Sequence, residues 1–404
     1  MMERLSFVLL VPLAGCAHQS RPQTGYRPVV VGTITEQQSH TTALLQAVSA
    51  VDESVVWVSG HQATWVRTVD GGRTWVPGAM TGPDSALQFR DVEGVSATTA
   101  YLLAAGPGEQ SRIYKTTDAG RSWRLQFMNR DSAAFYDCFA FWDETHGIAV
   151  SDAVRGKMIV IRTDDGEHWS AVAEDGMPPA LPGEGSPAAG GTCLTVRGRA
   201  RAWFGTEPHA RVYRSDDQGR RWAVVTTPIV SGQAAGVATL AFRDEQHGMA
   251  LGGRLLKADD RSDSVAAVTS DGGETWRLVN RPTFSGAVYG ATVVPGMPGY
   301  VVVAGPKGLD WTGNDGRSWT NLSGSAYWPS TAYPSMPAGR WGHAGALPAS
   351  DSSRLCAHAT HLRYAEGDGT IGRLRRRFAR ALKIRWAPVR PDPERVEASI
   401  PCLL

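Results

Sequence analysis

One octapeptide indicates the fold of this chain, and its clearest copy reads Thr68-VDGGRT-Trp75. The pattern is S/T-x-D-x-G-x-S/T-W, and the closing tryptophans of successive copies are 43 to 54 residues apart. Repetition at that interval is typical of β-propellers, in which each repeat forms one blade. Three copies match at every position, one has Arg221 before its tryptophan, one is a residue short and one has asparagine in place of aspartate. The six pairs are Asp70 and Trp75, Asp118 and Trp123, Asp165 and Trp169, Asp217 and Trp222, Asp271 and Trp276, and Asn314 and Trp319.

The residue types of the octapeptide suit a tight hairpin between two strands. The aspartate accepts hydrogen bonds from backbone N–H groups of its own turn, and the glycine two positions later tolerates a positive φ. The tryptophan starts the next strand and buries ~150–250 Å² of its ring. Alternating residues precede each copy, as in Arg112-IYK-Thr116. We therefore predict a hairpin at every copy, with these residues in structural roles.

The octapeptide resembles the Asp-box, or BNR repeat, of sialidases, sortilin and related β-propellers. The resemblance implies a turn between the third and fourth strands of a four-stranded blade. We therefore predict an all-β fold, a six- to seven-bladed β-propeller with four-stranded antiparallel blades over residues 27–323. After Trp319 one more blade is expected, closing the ring with the N-terminal strand.

The N-terminal residues indicate export. Residues 1–15 combine Arg4 with an apolar run too short to span a bilayer, as in a signal peptide. The segment Leu13-AG-Cys16 resembles a bacterial lipobox, which implies lipidation of Cys16 and anchoring of the mature chain. Residues 16–26 are then a polar tether, and the location is a periplasm-facing membrane of the cell envelope. An ordinary signal peptide is the alternative.

The C-terminal residues 324–404 differ from the repeats. They hold 12 Lys/Arg and 6 Asp/Glu, no octapeptide and little alternation. Three interpretations stay open: a basic amphipathic helix within residues 373–385 that lies on anionic lipid, a disordered tail, or an out-of-frame replacement of a seventh blade.

Composition and cysteines limit the function classes. With 42% hydrophobic residues in 404 the chain is not disordered, and 41 basic against 39 acidic residues give no basic footprint for nucleic acid. Besides Cys16 there are Cys138, Cys193, Cys356 and Cys402, whose pairing the sequence leaves open. A bridge between Cys138 and Cys193 is possible because they lie in neighbouring repeats. No metal spacing, GxGxxG or flavin pattern is present, so we predict neither metal nor cofactor.

Candidate binding residues come from the innermost strands, which line the channel of a propeller. Phe89-R-Asp91 and Phe135-Y-Asp137 take equivalent positions in neighbouring repeats, each with polar groups beside an aromatic. The alternative is that these polar groups satisfy each other and the nearby backbone. The candidates for ligand or partner binding are Arg90, Asp91, Tyr136, Asp137, Asp152 and Arg155.

Repetition weakens other candidates for catalysis. Asp143 and His146 are tempting, yet Asp244 and His247 repeat them in a later blade, which favours a structural turn. A sialidase carries an early Arg-Ile-Pro segment, and only Tyr26-R-Pro28 stands here. We therefore predict no catalytic residue, and a glycoside hydrolase would be the class if the protein were an enzyme.

The chain also resembles the photosystem II stability/assembly factor family and its bacterial relatives. The resemblance covers about residues 30–321 and rests on the octapeptides and on segments such as Phe135-YDCFAFWDETHGIAVS-Asp152. It implies a non-catalytic, lipid-anchored propeller that binds a membrane protein or envelope complex and helps to assemble or stabilise it. The alternative is a glycan-directed hydrolase or lectin that uses the channel mouth.

Overall fold

The protein is a six-bladed β-propeller. A computed structural model describes residues 30–187, 190–325, 359–362 and 396–403. Six sheets hold four antiparallel strands each in consecutive order, and the helices of the described residues are three 3-10 turns, Gly82–Asp84, Gly108–Gln110 and Glu174–Gly176. The predicted all-β propeller with four-stranded antiparallel blades is confirmed.

The blades follow one another along the chain. Blades one to three contain β2 (Leu45–Ala50), β3 (Val56–Gly60), β4 (Thr64–Thr68) and β5 (Val76–Ala79); β6 (Phe89–Gly94), β7 (Ala100–Ala104), β8 (Arg112–Thr116) and β9 (Arg124–Met128); and β10 (Tyr136–Phe141), β11 (Gly147–Val154), β12 (Lys157–Thr163) and β13 (Ser170–Ala171). Blades four to six contain β14 (Leu194–Arg197), β15 (Arg201–Gly205), β16 (Arg211–Ser215) and β17 (Ala223–Thr226); β18 (Ala235–Phe242), β19 (Gly248–Arg254), β20 (Ala266–Thr269) and β21 (Arg277–Leu278); and β22 (Gly290–Val293), β23 (Val301–Gly305), β24 (Gly308–Thr312) and β25 (Thr320–Ser323).

Burial falls from the innermost to the outermost strand. All residues of β18 are buried, whereas those of β21 are exposed. An inner strand is covered on both faces by neighbouring blades, so it reads as a continuous apolar run such as Ala235-GVATLA-Phe242. The core therefore lies in the seams between blades.

Each octapeptide forms the turn between the third and fourth strands. In the first copy Thr68 Oγ1 donates to Asp70 Oδ1 at 2.8 Å and accepts the Gly72 N–H at 2.9 Å. Asp70 also accepts the Thr74 N–H at 2.9 Å and the Thr74 hydroxyl at 2.7 Å. Gly72 has φ +80°, which a Cβ would strain. These hydrogen bonds, first those from Thr74, lower the pKa of Asp70 to about 2.

Asn314 forms the same turn with an amide. Its Oδ1 accepts the Ser318 N–H at 2.9 Å, and its Nδ2–H donates to Ser318 Oγ at 2.8 Å. The turn therefore needs an acceptor at this position and does not need a charge.

The octapeptide tryptophans close the seams. Rings of the later blades pack toward the preceding blade, as Trp222 does in the cluster that includes Ile148 and Val150 of blade three. At ~25 cal/mol per Å², a ring that buries ~200 Å² gives up to about 5 kcal/mol. A turn hydrogen bond adds only about 0.5–1.5 kcal/mol, so burial of the ring stabilises the fold more than any one of these hydrogen bonds does.

The indole N–H groups of the octapeptide tryptophans differ in whether they have a hydrogen-bond acceptor. Trp169 Nε1 donates to Gln126 Oε1 at 3.3 Å on the outer strand of blade two. Among the described residues, the N–H groups of Trp123 and Trp276 lack a partner. Gln126 stands three residues after the octapeptide tryptophan of its own blade. The blades before Trp123 and Trp276 have Gly78 and Val225 at that position, so neither offers a side-chain acceptor.

The ring closes without a seventh four-stranded blade in the described part of the chain. β1 (Val30–Gln37) pairs in parallel with β27 (Val396–Leu403), and β26 (Ala359–Leu362) pairs in parallel with β2. β1 lies beside β25 of blade six, and Gln37 Oε1 accepts the Trp75 indole N–H at 2.9 Å. β1 therefore contacts blade one in the same way that the outermost strand of each blade contacts the blade after it. The further blade expected after Trp319 is replaced by these single strands.

Several predictions fall outside the described residues. These are the signal peptide, Cys16 and the tether within residues 1–29, and most of the tail after residue 325, including the basic stretch 373–385. In the described ranges we find no helix with the length and apolar character of a transmembrane span.

Candidate functional site

The antiparallel order of the blades defines two faces. The octapeptide turns and the turns between first and second strands share one end of the propeller, which we call the upper face. The innermost strands begin at the other end, which also carries the turns between second and third strands; we call it the lower face. The histidine turns lie on the upper face, where His146 Nδ1 is 2.9 Å from Asp143 Oδ2 and His247 Nδ1 is 2.9 Å from Asp244 Oδ1.

A polar cluster lies on the lower face near the channel. Arg90 starts blade two, Asp137 starts blade three, Asp152 ends the next strand and Glu207 follows the second strand of blade four. Asp152, Arg90 and Glu207 all act electrostatically on Asp137, and the effect of Asp152 is the largest of the three. The structure thus brings together three of the six predicted residues, Arg90, Asp137 and Asp152. We call these three, with Glu207, the lower-face cluster.

Burial keeps protons on this cluster. The pKa of Asp137 lies well above its usual value because the carboxyl is buried and because Asp152 is adjacent. Burial also raises the pKa of Asp152 to about 7, and burial with the nearby Asp152 charge raises that of Glu207 to about 7. Two adjacent carboxylates cannot both ionise cheaply, so Asp137 keeps its proton. Near neutral pH the cluster therefore changes charge readily.

Histidine and glutamine side chains extend the site into blade one. His61 Nε2 lies 2.7 Å from Gln46 Oε1, and burial followed by the Arg90 charge lowers the pKa of His61 to about 4. Arg90 donates from Nη2 to Gln88 Oε1 at 2.7 Å. Arg90 thus stands between a neutral histidine and the carboxyls.

The other predicted residues are placed differently. Asp91 is fully buried and accepts the N–H groups of Val92 at 2.8 Å and Phe139 at 2.9 Å, so it ties blade two to blade three. Tyr136 is buried, with its ring packed edge-on to Phe127. Neither side chain faces the channel mouth as a free polar group.

Arg155 is exposed and pairs with an acid at the rim. Its Nη1 is 3.1 Å from Asp131 Oδ2, which lies before the first strand of blade three. This pair is screened by water and contributes little by itself.

A crossing segment, residues 190–193, closes the channel below this site. Gly191 lies against the Asp91 carboxylate of blade two, with no room for a Cβ. The Thr192 carbonyl accepts the Leu240 N–H of blade five at 3.0 Å, and Cys193 forms a disulfide with Cys138 of blade three. A segment that touches the inner strands of blades two, three and five must lie across the channel. The site is therefore a blind mouth with a fixed floor.

Sequence reasoning missed Glu207, His61 and the crossing segment. Glu207 and His61 both follow the second strand of a blade, and aligning the repeats at that turn would have pointed to them. The crossing segment has no repeat equivalent, and only its Gly190-GT-Cys193 composition hints at close packing.

The chemistry open to the site is recognition of charged and hydrogen-bonding groups. In the described part of the chain, no three His, Cys, Asp or Glu side chains are grouped as metal ligands. A glycosidase needs two carboxyls about 5–10 Å apart with the sugar between them. The site holds three carboxyls, those of Asp137, Asp152 and Glu207, which interact electrostatically.

Comparisons with known proteins support the propeller fold. Neither a family model nor a curated protein matches the sequence. Among solved structures, "YCF48 bound to D1 peptide" has a TM-score of 0.51 and 18% identity, over 72% of this chain and 86% of that chain. An ancestral GH74 enzyme has a TM-score of 0.51 and 14% identity, over 68% of this chain and 37% of that chain. YCF48 from Cyanidioschyzon merolae has a TM-score of 0.49 and 13% identity, over 70% of this chain and 86% of that chain. At these identities the likeness concerns the fold.

Proposed function

We propose that the protein is a non-catalytic propeller that binds a partner protein or complex at the cell envelope through its lower face. The observation that carries the proposal is the convergence of Arg90, Asp137, Asp152 and Glu207 from three blades at a blind channel mouth. A polar site on rigid strands suits recognition, because little ordering entropy is lost on binding.

Two further points support a binding role. The fold resembles that of a YCF48 structure that holds a peptide, and the octapeptides and inner-strand segments resemble those of assembly factors.

Envelope location and lipid anchoring rest on Leu13-AG-Cys16. In cells fed a clickable fatty acid, the wild-type chain takes up label and the Cys16→Ser variant does not. Equal labelling of both would contradict the anchor.

The binding role is tested by capture from solubilised membranes with Arg90→Ala/Glu207→Gln. Arg254→Ala, at the end of the second strand of blade five on the same face, is the matched control. We expect a defined complex to co-purify with the wild type and the control, and to be lost with the double variant. Identical capture by all three chains would exclude the lower-face cluster as the site.

A glycan-directed hydrolase is the second candidate. The raised pKa of Glu207 favours it, because a general acid must hold its proton near neutral pH. A panel of chromogenic glycosides tests it, since hydrolysis by the wild type that Glu207→Gln abolishes would establish an enzyme and displace the binding role.

A further inference from the structure

A cationic cleft lies on the upper face between blades five and six. Its volume is about 280 Å³, and its charged lining includes Arg243, Arg277, Arg317 and Asp315. Arg243 Nη1 pairs with Asp315 Oδ1 at 2.5 Å. Among the described residues, Arg277 and Arg317 form no ion pair. The lining therefore has three arginines against one carboxylate.

The seam between blades two and three shows how basic residues at equivalent positions are neutralised by an acid. Between blades two and three, Arg124 follows the octapeptide tryptophan of blade two, and Glu167 stands two residues before the tryptophan of blade three. Arg124 and Glu167 form an ion pair, and Lys115 Nζ adds a second at 2.5 Å. An acid of the following octapeptide thus satisfies bases of the preceding blade.

The seam between blades four and five uses the same device. Glu274 stands two residues before Trp276 and lies 3.1 Å from Arg214 Nη2 of blade four. The position two residues before the tryptophan is therefore the one that supplies the acid in both seams.

In the cleft this acid is replaced by a base. Arg277 takes the position of Arg124, and Arg317 takes the position of Glu167. Two guanidinium groups border a seam in which the equivalent residues are oppositely charged. The backbone of Arg317 is held in place, because Asn280 Nδ2–H donates to its carbonyl at 2.6 Å.

Two neutral donors of the lining are already occupied, whereas the Trp276 indole N–H has no partner among the described residues. The hydroxyls of Thr269 and Thr275 donate to Asp271 at 2.7 Å and 2.5 Å. Guanidinium groups are thus the strongest donors left in the cleft, and they bind carboxylates in a bidentate manner.

We propose that this cleft binds carboxylate side chains of an acidic peptide segment. Arg243 is paired with both Asp315 and Asp244, which leaves the charges of Arg277 and Arg317 for two carboxylates of the peptide. An extended segment laid along the open cleft places alternate side chains on one face, so neighbouring acidic positions can reach both arginines. The cleft lies on the face opposite the lower-face cluster, so this inference stands apart from the proposed function.

The test uses fluorescence anisotropy of a labelled peptide with alternating Glu and Ser, added to the full chain at low ionic strength. The matched peptide carries Gln in place of Glu. We expect Arg277→Glu/Arg317→Glu to weaken binding of the Glu peptide at least about tenfold, equivalent to ~1.4 kcal/mol. Arg73→Glu/Arg121→Glu changes the charge of the same face equally and is expected to keep the affinity within about twofold.

A single substitution guards against misfolding. Arg317→Glu recreates the Arg124–Glu167 arrangement, so it should abolish binding while the midpoint of thermal unfolding stays at the wild-type value or above. Equal loss in the Arg73/Arg121 control would mean general attraction to the face and overturn the proposal. Undiminished binding in Arg317→Glu, or full competition by inorganic phosphate at the peptide's own concentration, would overturn it as well, the latter in favour of a small-anion site.

Discussion

At the scale of single residues, the pKa values of acidic side chains in this protein are lowered in one place and raised in another. The octapeptide carboxylates accept N–H bonds, and the pKa of Asp118 is about 2, chiefly through the hydroxyl and N–H of Ser122. The lower-face carboxyls are buried beside one another, and Asp152 and Glu207 have pKa values near 7. One residue type therefore serves as a turn acceptor in one place and as a proton holder in another.

The pH dependence of stability follows from these shifts. Between about pH 4 and pH 7 the folded state holds protons on Asp152 and Glu207 that the unfolded state has released, so these two groups make the free energy of unfolding fall as pH rises. His61, whose pKa is lowered to about 4, contributes in the opposite sense up to about pH 6.5. Below about pH 4 the octapeptide residues Asp70, Asp118, Asp165 and Asp271 also act in the opposite sense, and stability is lost as pH falls toward 2.

Glu207→Gln checks the sign. The variant gains more stability over the wild type at pH 8 than at pH 5, measured as urea unfolding midpoints. Glu109→Gln, on an exposed ion pair with Arg130, is the control and should show no such pH-dependent gain. A gain from Glu207→Gln that is equal at both pH values would refute the assignment.

The Trp276 indole N–H is unpaired because the outermost strand of blade four has Val225 where a hydrogen-bond acceptor could stand. Val225 lies opposite Val212, which packs in the same seam as Trp276, so a longer side chain at 225 reaches toward that ring. Val225→Gln should supply the acceptor that Gln126 supplies to Trp169, and stabilise the protein by about 0.5–1.5 kcal/mol. Val225→Met, of similar length without a strong acceptor, should not. Equal denaturation midpoints for the two variants would show that the indole gains no bond.

At the scale of elements, the crossing segment depends on the Cys138–Cys193 disulfide. The bridge spans 55 positions and holds the segment against the inner strand of blade three. Its removal by Cys138→Ala/Cys193→Ala should cost about 2–4 kcal/mol of unfolding free energy. Reducing agent should lower the wild-type midpoint toward that of the variant and leave the variant unchanged. A wild type insensitive to reductant under unfolding conditions would contradict the role given to the bridge.

Elements with a local pattern could be predicted from the sequence, and elements without one could not. The octapeptide turns are fixed by side chains within four residues of the aspartate, so the pattern alone located them. Inner strands were recognisable as apolar runs. The contact of Gly191 with Asp91 joins distant positions through a glycine without a side chain, and no periodicity predicts it.

The candidate site was predictable only in part. Asp91 and Asp137 look equivalent in sequence, yet one meets two backbone N–H groups and the other meets a second carboxyl. That difference arises from the neighbouring blades and not from the local sequence. Glu207 belongs to a turn whose spatial neighbour, Asp152, lies in the blade before it.

At the scale of the whole molecule, stability depends on how blade one meets blade six. β1 lies in this seam, and its Gln37 side chain accepts a hydrogen bond from the Trp75 indole N–H. A chain without residues 1–38 should therefore exchange the backbone amides of blade one faster, as measured by hydrogen exchange, whereas a chain without residues 1–29 keeps β1 and should match the full chain. Equal protection in the two truncated chains would show that β1 does not hold the ring.

The pairing of β2 with β26 also governs the order of folding during synthesis. Val48 pairs with Ala359, so the innermost strand of blade one cannot complete its pairing until residues 311 positions later have been synthesised. At ~5–20 residues per second of synthesis, that interval is about 15–60 s. Throughout it the nascent chain carries an unpaired strand edge that other chains can join, while blades two to six, which pair with near neighbours, are synthesised and completed in turn. The order of translation thus makes the first blade to emerge from the ribosome the last to be finished.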